Sequence, residues 1–209
     1  GVTNGVNWPN VTQNHTLAVQ TKAEPRTLTI VSPYGSPNPA VGSYDLLYDT
    51  PITATLAGSP IVLGVGTQRA CVGWSRTVSD PDSGTGTNTL FYLRGPTTSD
   101  VTTVTWNWED EVLLDTTVDG YGTVSVSDSW YPTGNVQVAI VAATNGYSVF
   151  TGWTGTTNGC TITGETITVV MDRARDITAH FTGGVAPHGT PITWMTEQGV
   201  SNDFDTAEE

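Results

Sequence analysis

Three histidines, His15, His180 and His188, are the whole supply of imidazole for acid–base work in this chain. No serine stands in a Gly-x-Ser-x-Gly elbow, the turn that lifts a nucleophile above a sheet, or beside a base in local sequence. His180 sits at an alternating position of the stretch Asp176–Phe181, which assigns it to the solvent face of a strand. Carboxylates are more plentiful, and a glycosidase pair needs only proximity in space. The one tight group, Glu109, Asp110 and Glu111, reads as a solvated turn between two modules. The catalytic inventory is therefore thin, and no enzymatic activity is expected. Ion binding fits better. Asp80 and Asp82 share a short Pro/Ser/Gly turn and Asp203 and Asp205 close the chain, so calcium, which takes hard oxygen ligands outside the cell, is the expected ion. Neither group has the spacing of a twelve-residue EF-hand loop.

Indole and phenol rings supply the remaining chemistry. Trp74 and Trp153 each follow a glycine, and a Trp repeated at one place in two copies reads as a core plug rather than a sugar platform. Trp106 and Trp108 alternate on one strand and share a face, which packing explains better than ligand binding. Trp8, Trp130 and Tyr131 are the aromatics left for contacts with a partner, a surface polysaccharide among them.

The elements that must carry these residues follow from composition. Only 13% of the 209 residues are charged, while Thr, Val and Ile are abundant and 23 Gly with 12 Pro punctuate the chain. Such a chain favours short strands and turns over solvated helices. Lys22 is the single lysine and the net charge is −13, so no basic stripe exists to displace counterions and nucleic acid is excluded as a partner. No apolar run approaches the ~18 residues of a membrane-spanning helix. No basic, apolar leader opens the sequence either, so it reads as a soluble or already processed product without membrane insertion, and its low-charge, hydroxyl-rich balance is that of a secreted or cell-surface protein. Cys71 and Cys160 are too few for a disulfide framework or a four-ligand zinc site, and the sequence leaves their pairing open.

An internal repeat organises the strands. Cys71-Val72-Gly73-Trp74-Ser75-Arg76-Thr77 lies over Phe150-Thr151-Gly152-Trp153-Thr154-Gly155-Thr156. Pro33-Tyr34-Gly35 lies over Gly120-Tyr121-Gly122, Ile52–Leu56 over Val136–Ile140, and Val104–Trp108 over Ile177–Phe181. Two modules follow, 27–112 and 113–183. Their expected cores are Leu28, Ile30, Ile52, Leu56, Trp74, Trp106 and Trp108 in the first, and Val124, Val126, Val138, Ile140, Trp153, Val169, Ile177 and Phe181 in the second. Residues 1–26 resemble the closing strand of an incomplete repeat, with Val11, Leu17 and Val19 on one alternating face. Residues 184–209 form a Gly/Pro linker, a short helix and an acidic tail. Thr190 is the expected N-cap, Pro191 the first helical position and Gly199 the stop.

Tyr147–Thr156 together with the strand Asp176–Phe181 resembles the divergent internalin-B-type repeat of large bacterial surface and secreted proteins, and Asn10–Leu17 is similar to that family's closing strand. The first full module departs from it in its longer loops and in carrying Cys71 where the second has an aromatic. The segment from Thr190 to Glu209 is similar to linkers that precede Asp-rich calcium-binding repeats. The resemblance implies a non-catalytic spacer, adhesive or assembly role outside the cell.

The combined expectation is an all-β protein of tandem small antiparallel modules, sandwich-like or β-grasp-like, with one short C-terminal helix. Its expected role is that of an extracellular structural subunit that polymerises with itself, the strand of residues 1–26 completing a sheet in the next copy through Trp8, Val11, Leu17 and Val19. A carbohydrate-binding or adhesive module, or a passive stalk, is the alternative.

Overall fold

The computed structural model describes residues 24–78, 81–94, 100–144, 148–186 and 188–200. Trp8, Val11, Leu17, Val19, Asp80, Asp203 and Asp205 lie outside the described residues. The first half comprises β1 (Pro25–Val31), β2 (Ser36–Asn38), β3 (Gly42–Leu47), β4 (Pro51–Ala57), β5 (Ile61–Gly64), β6 (Thr67–Arg76), β7 (Ser83–Gly84) and β8 (Asn88–Tyr92). A long strand, β9 (Val101–Asp119), leads into β10 (Gly122–Val124), β11 (Ser129–Pro132), β12 (Gln137–Thr144), β13 (Ser148–Gly155), β14 (Thr161–Thr163), β15 (Thr166–Val170), β16 (Arg175–Gly183) and the helix α1 (Ile192–Glu197). The chain is all-β with one short C-terminal helix.

Two layers enclose two cores. A nine-stranded sheet holds β1, β3, β5, β6, β7, β9, β11, β13 and β16, and two small sheets, β2-β4-β8 and β10-β12-β15-β14, complete the sandwich. The first core sits between the large sheet and β4-β8: Leu28, Ile30, Ile52, Leu56, Trp74, Phe91, Val104 and Trp106 are buried together. The second gathers Val112, Leu114, Val138, Ile140, Trp153, Ile167, Val169, Ile177 and Phe181, with Val124 and Val126 half-buried against it. Trp108 packs at the margin of the first core and is only half-buried.

β9 serves both cores. Val104, Trp106, Val112 and Leu114 are all even-numbered, so the strand's pleat presents them on one face. Its first half pairs parallel with β1, from Thr27↔Val101 to Val31↔Thr105, and antiparallel with β6. Its second half pairs parallel with β16, from Arg175↔Leu114 to His180↔Asp119, and antiparallel with β11. The strand thus closes one module and opens the next. At ~3.3 Å per residue it runs roughly 60 Å. The two parallel pairings depart from the purely antiparallel expectation, because each closing strand returns to its module's opening strand from a long crossover.

Glu109, Asp110 and Glu111 are not a turn. They lie in mid-β9 and pair with Ala70, Arg69 and Gln68 of β6. Their polarity marks the interval where the strand leaves one core and has not reached the other, a strand-borne polar gap that local sequence reads as a loop.

The repeat survives in the backbone. β6 carries a bulge between Cys71 and Gly73, and β13 carries one between Phe150 and Gly152. The glycines have φ +146° and +147°, a conformation L side chains rarely adopt. Each bulge turns the next residue inward, leaving Trp74 and Trp153 buried. A side chain at Gly73 would also lie 2.2 Å from the Gly84 carbonyl oxygen of β7.

The helix begins one residue later than the sequence suggests. Pro191 is its N-cap, with ψ 127°, because its backbone is held extended in a bridge to Val185, and it makes no side-chain cap bond. Gly199, at φ +88°, follows the helix as expected. Ile192 and Met195 are buried with Ala186 against Tyr121 and Val200, and Trp194 stays 56% exposed.

Candidate functional site

An open groove of about 870 Å³ lies where the two modules meet. Tyr34, in the turn between β1 and β2, lines it together with Pro132 and Thr133, at the end of β11. Trp108, Arg69 and Asp110 line it as well. Three contacts order these groups. The Arg69 guanidinium donates from Nε and Nη2 to the two Asp110 carboxylate oxygens at 2.5 and 2.8 Å. The same guanidinium lies 4.2 Å from the centre of the Tyr34 ring, a cation–π arrangement. Tyr34 meets Trp108 edge to face, with centroids 5.7 Å apart and planes at 78°. Trp108 Nε1 donates to Ser32 Oγ at 3.2 Å, which fixes the indole's orientation. The bonded Arg69 guanidinium holds the Asp110 carboxyl below its usual range.

Sequence reasoning missed Tyr34, Arg69 and Asp110. The signal was present in the tyrosine shared by the two repeat copies and in the acid in the strand's polar gap, but Arg69 joins them only through the β6–β9 register.

Trp130 is 39% exposed, on β11 opposite Leu113, while Tyr131 packs half-buried against the second core. Asp82 accepts from Ser83 Oγ at 3.1 Å. Among the described residues no group of three or more His, Cys, Asp or Glu is arranged to hold a metal ion. Cys71 and Cys160 are free thiols. Burial pushes the Cys71 thiol's pKa up, against an opposing backbone hydrogen bond from Gly73.

His180 is half-buried on the outer face of the large sheet and joins three strands. Its Nε2 lies 2.6 Å from Thr154 Oγ1 on β13 and its Nδ1 2.8 Å from an Asp119 carboxylate oxygen on β9. Hydroxyl, imidazole and carboxylate are in the order of a nucleophile triad, but Asp119 is 72% exposed and the chain of contacts lies on an open sheet face rather than in a cleft. Its role is that of a cross-strand tie, of the kind worth about 0.2–1 kcal/mol per pair.

The buried electrostatic arrangement around Arg175 is structural. Arg175, 2% exposed, donates to the carbonyl oxygens of Val170, Thr156 and Asn158 and to the Asp172 carboxylate. Arg173 also bonds Asp172, and chiefly through that bond the Asp172 pKa falls from its ordinary 3.8 to about 2. A depressed carboxylate contributes stability that is full above its unfolded pKa and fades as pH falls toward the folded one. The stability lost on acidification from pH 4 to pH 2 should therefore shrink in Asp172→Asn relative to the parent chain, as read by urea midpoints at each pH. An equal acid loss in both chains would remove Asp172 from the account.

Residues 112–184 match the family model of the divergent InlB B-repeat domain. The match starts at Val112, where β9 passes into the second core. No curated protein and no solved structure gives a match. Among the described residues no helix is long and apolar enough to cross a membrane. Motif, bulge and family model agree that residues 112–184 are similar to the divergent InlB B-repeat domain.

Proposed function

We propose that the chain is a non-catalytic structural segment of a bacterial surface protein, a stalk in which modules are joined by shared strands. The observation that carries this reading is β9, which pairs as the closing strand of one module and the opening strand of the next. A hydrogen-bonded strand resists bending between modules in a way that a Gly/Pro linker cannot. Residues 10–19 stand just ahead of β1 as residues 101–110 stand ahead of the second half of β9, and their alternation is that of a closing strand.

The same alternation favours a second reading, a filament subunit. A strand bearing Val11, Leu17 and Val19, with Trp8 beside it, would complete a module in another copy. β9 and β16 already close both modules of each copy, so an incoming strand must displace one of them, and the stalk is the better-supported form. Calcium at the acidic loops would serve either form as a bridge.

Small-angle scattering and light scattering of the intact chain, with and without a chelator, test both. The stalk predicts a rigid elongated monomer of about 22 kDa. Bending between the modules would overturn it. Regular filaments that disappear on removing residues 1–23 would establish strand exchange instead, and their dissolution by chelator would give calcium the bridging role.

A further inference from the structure

We propose that the groove between the modules binds an uncharged polysaccharide chain. The groove combines what sugar recognition needs. Tyr34 is 40% exposed and held in place by Arg69 on its face and Trp108 at its edge. An anchored ring of this kind accepts the C–H face of a pyranose without first losing rotamer freedom. The Arg69–Asp110 fork lies beside it with side chains 24% and 47% exposed. The fork uses Nε and Nη2 of the guanidinium and one lone pair on each carboxylate oxygen. Further donor and acceptor capacity remains on one rigid edge, the pairing that neighbouring hydroxyls of a sugar require.

Charge selects the ligand class. Glu109 and Glu111 flank Asp110 on β9 and the chain carries a net −13, so sulfated or carboxylated glycans are repelled. The groove is open and its volume falls in the range of small-molecule sites, which suits a stretch of chain rather than an enclosed monosaccharide. The residues lining the groove all belong to one chain, so binding does not depend on the mode of assembly.

Native-gel electrophoresis of the intact chain through gels holding soluble neutral glucan, galactan or mannan, with heparin as the anionic probe, tests it. At least one neutral polymer is expected to retard the chain with an apparent Kd of ~1 mM or below, a binding free energy of roughly −4 kcal/mol. Tyr34→Ala should weaken that retardation about tenfold, the loss of one stacking platform. Arg69→Leu should weaken it likewise, and Trp130→Ala, outside the groove, should leave it unchanged. Tryptophan fluorescence and melting of each variant confirm that the fold persists. Retardation by heparin alone, no retardation by any neutral polymer, or full binding by a folded Tyr34→Ala chain would overturn the proposal.

Discussion

Arg175→Leu is expected to destabilise the chain by about 3–5 kcal/mol, chiefly because the buried donor shared among three backbone carbonyls is removed. Leucine fills much of the space but donates nothing, so the carbonyls of Val170, Thr156 and Asn158 lose their donor and Asp172 loses its buried partner. Each carbonyl left unsatisfied in the interior costs about 1–3 kcal/mol, part of it recovered where water can enter. The effect spans two loops, because one side chain ties the β13–β14 connection to the β15–β16 turn. Arg173→Leu is the control. Arg173 bonds the same carboxylate from a side chain that is 55% exposed, and an exposed pair contributes at most about 1 kcal/mol. Equilibrium urea denaturation, followed by tryptophan fluorescence, separates the two. Equal losses in both variants would mean that charge near Asp172, and not the buried carbonyl contacts, holds these loops.

Trp106→Ala should cost a similar 3–5 kcal/mol, as large-to-small changes of core aromatics do. Trp106 is 1% exposed on β9 and stands opposite Trp74 of β6 in the strand register. Around it are Leu28, Ile30, Leu56 and Phe91, contributed by strands of both layers, so the void left by alanine cannot close without moving a sheet. Trp106→Phe should lose far less. Its indole Nε1 is buried with no hydrogen-bond partner, so phenylalanine removes an unpaired donor along with part of the ring. A phenylalanine variant as unstable as the alanine one would show that indole shape, and not buried apolar volume, fills this core. Because β9 also supplies Val112 and Leu114 to the second core, both modules should unfold in the same transition in either variant.

Local pattern carried most of the fold. The scarcity of charge, the β-branched residues and the frequent Gly and Pro predicted strands and turns, and the alternation within each segment marked Leu28, Ile30, Ile52, Leu56, Trp106, Val138, Ile140 and Ile177 as buried. Pleat geometry makes burial legible at a period of two wherever one face meets a core. The Gly-Trp repeat was equally legible, since a bulge at φ near +147° demands glycine at the same place in both copies.

What failed in the sequence failed where meaning depends on a partner strand. Glu109-Asp110-Glu111 has the composition of a turn, and only pairing with Gln68, Arg69 and Ala70 makes it the middle of a strand. Thr190 has the chemistry of an N-cap, and the bridge between Val185 and Pro191 moves the helix start past it. The groove depends still more on tertiary contacts. Tyr34, Arg69 and Asp110 come from three segments, Tyr34 and Arg69 standing 35 positions apart in the chain and Arg69 and Asp110 41.

By itself the sequence determined strand-rich repeats with an apolar alternating face, a strongly negative net charge, and a glycine ahead of the core tryptophan in both copies. These are properties of single residues and their immediate neighbours. Only the tertiary structure decided that one strand would serve two modules, that three distant side chains would form a groove at their junction, and that a buried arginine would hold two loops. Each of those depends on register between strands far apart in the chain, and register is set by cores that exist only once both layers have closed.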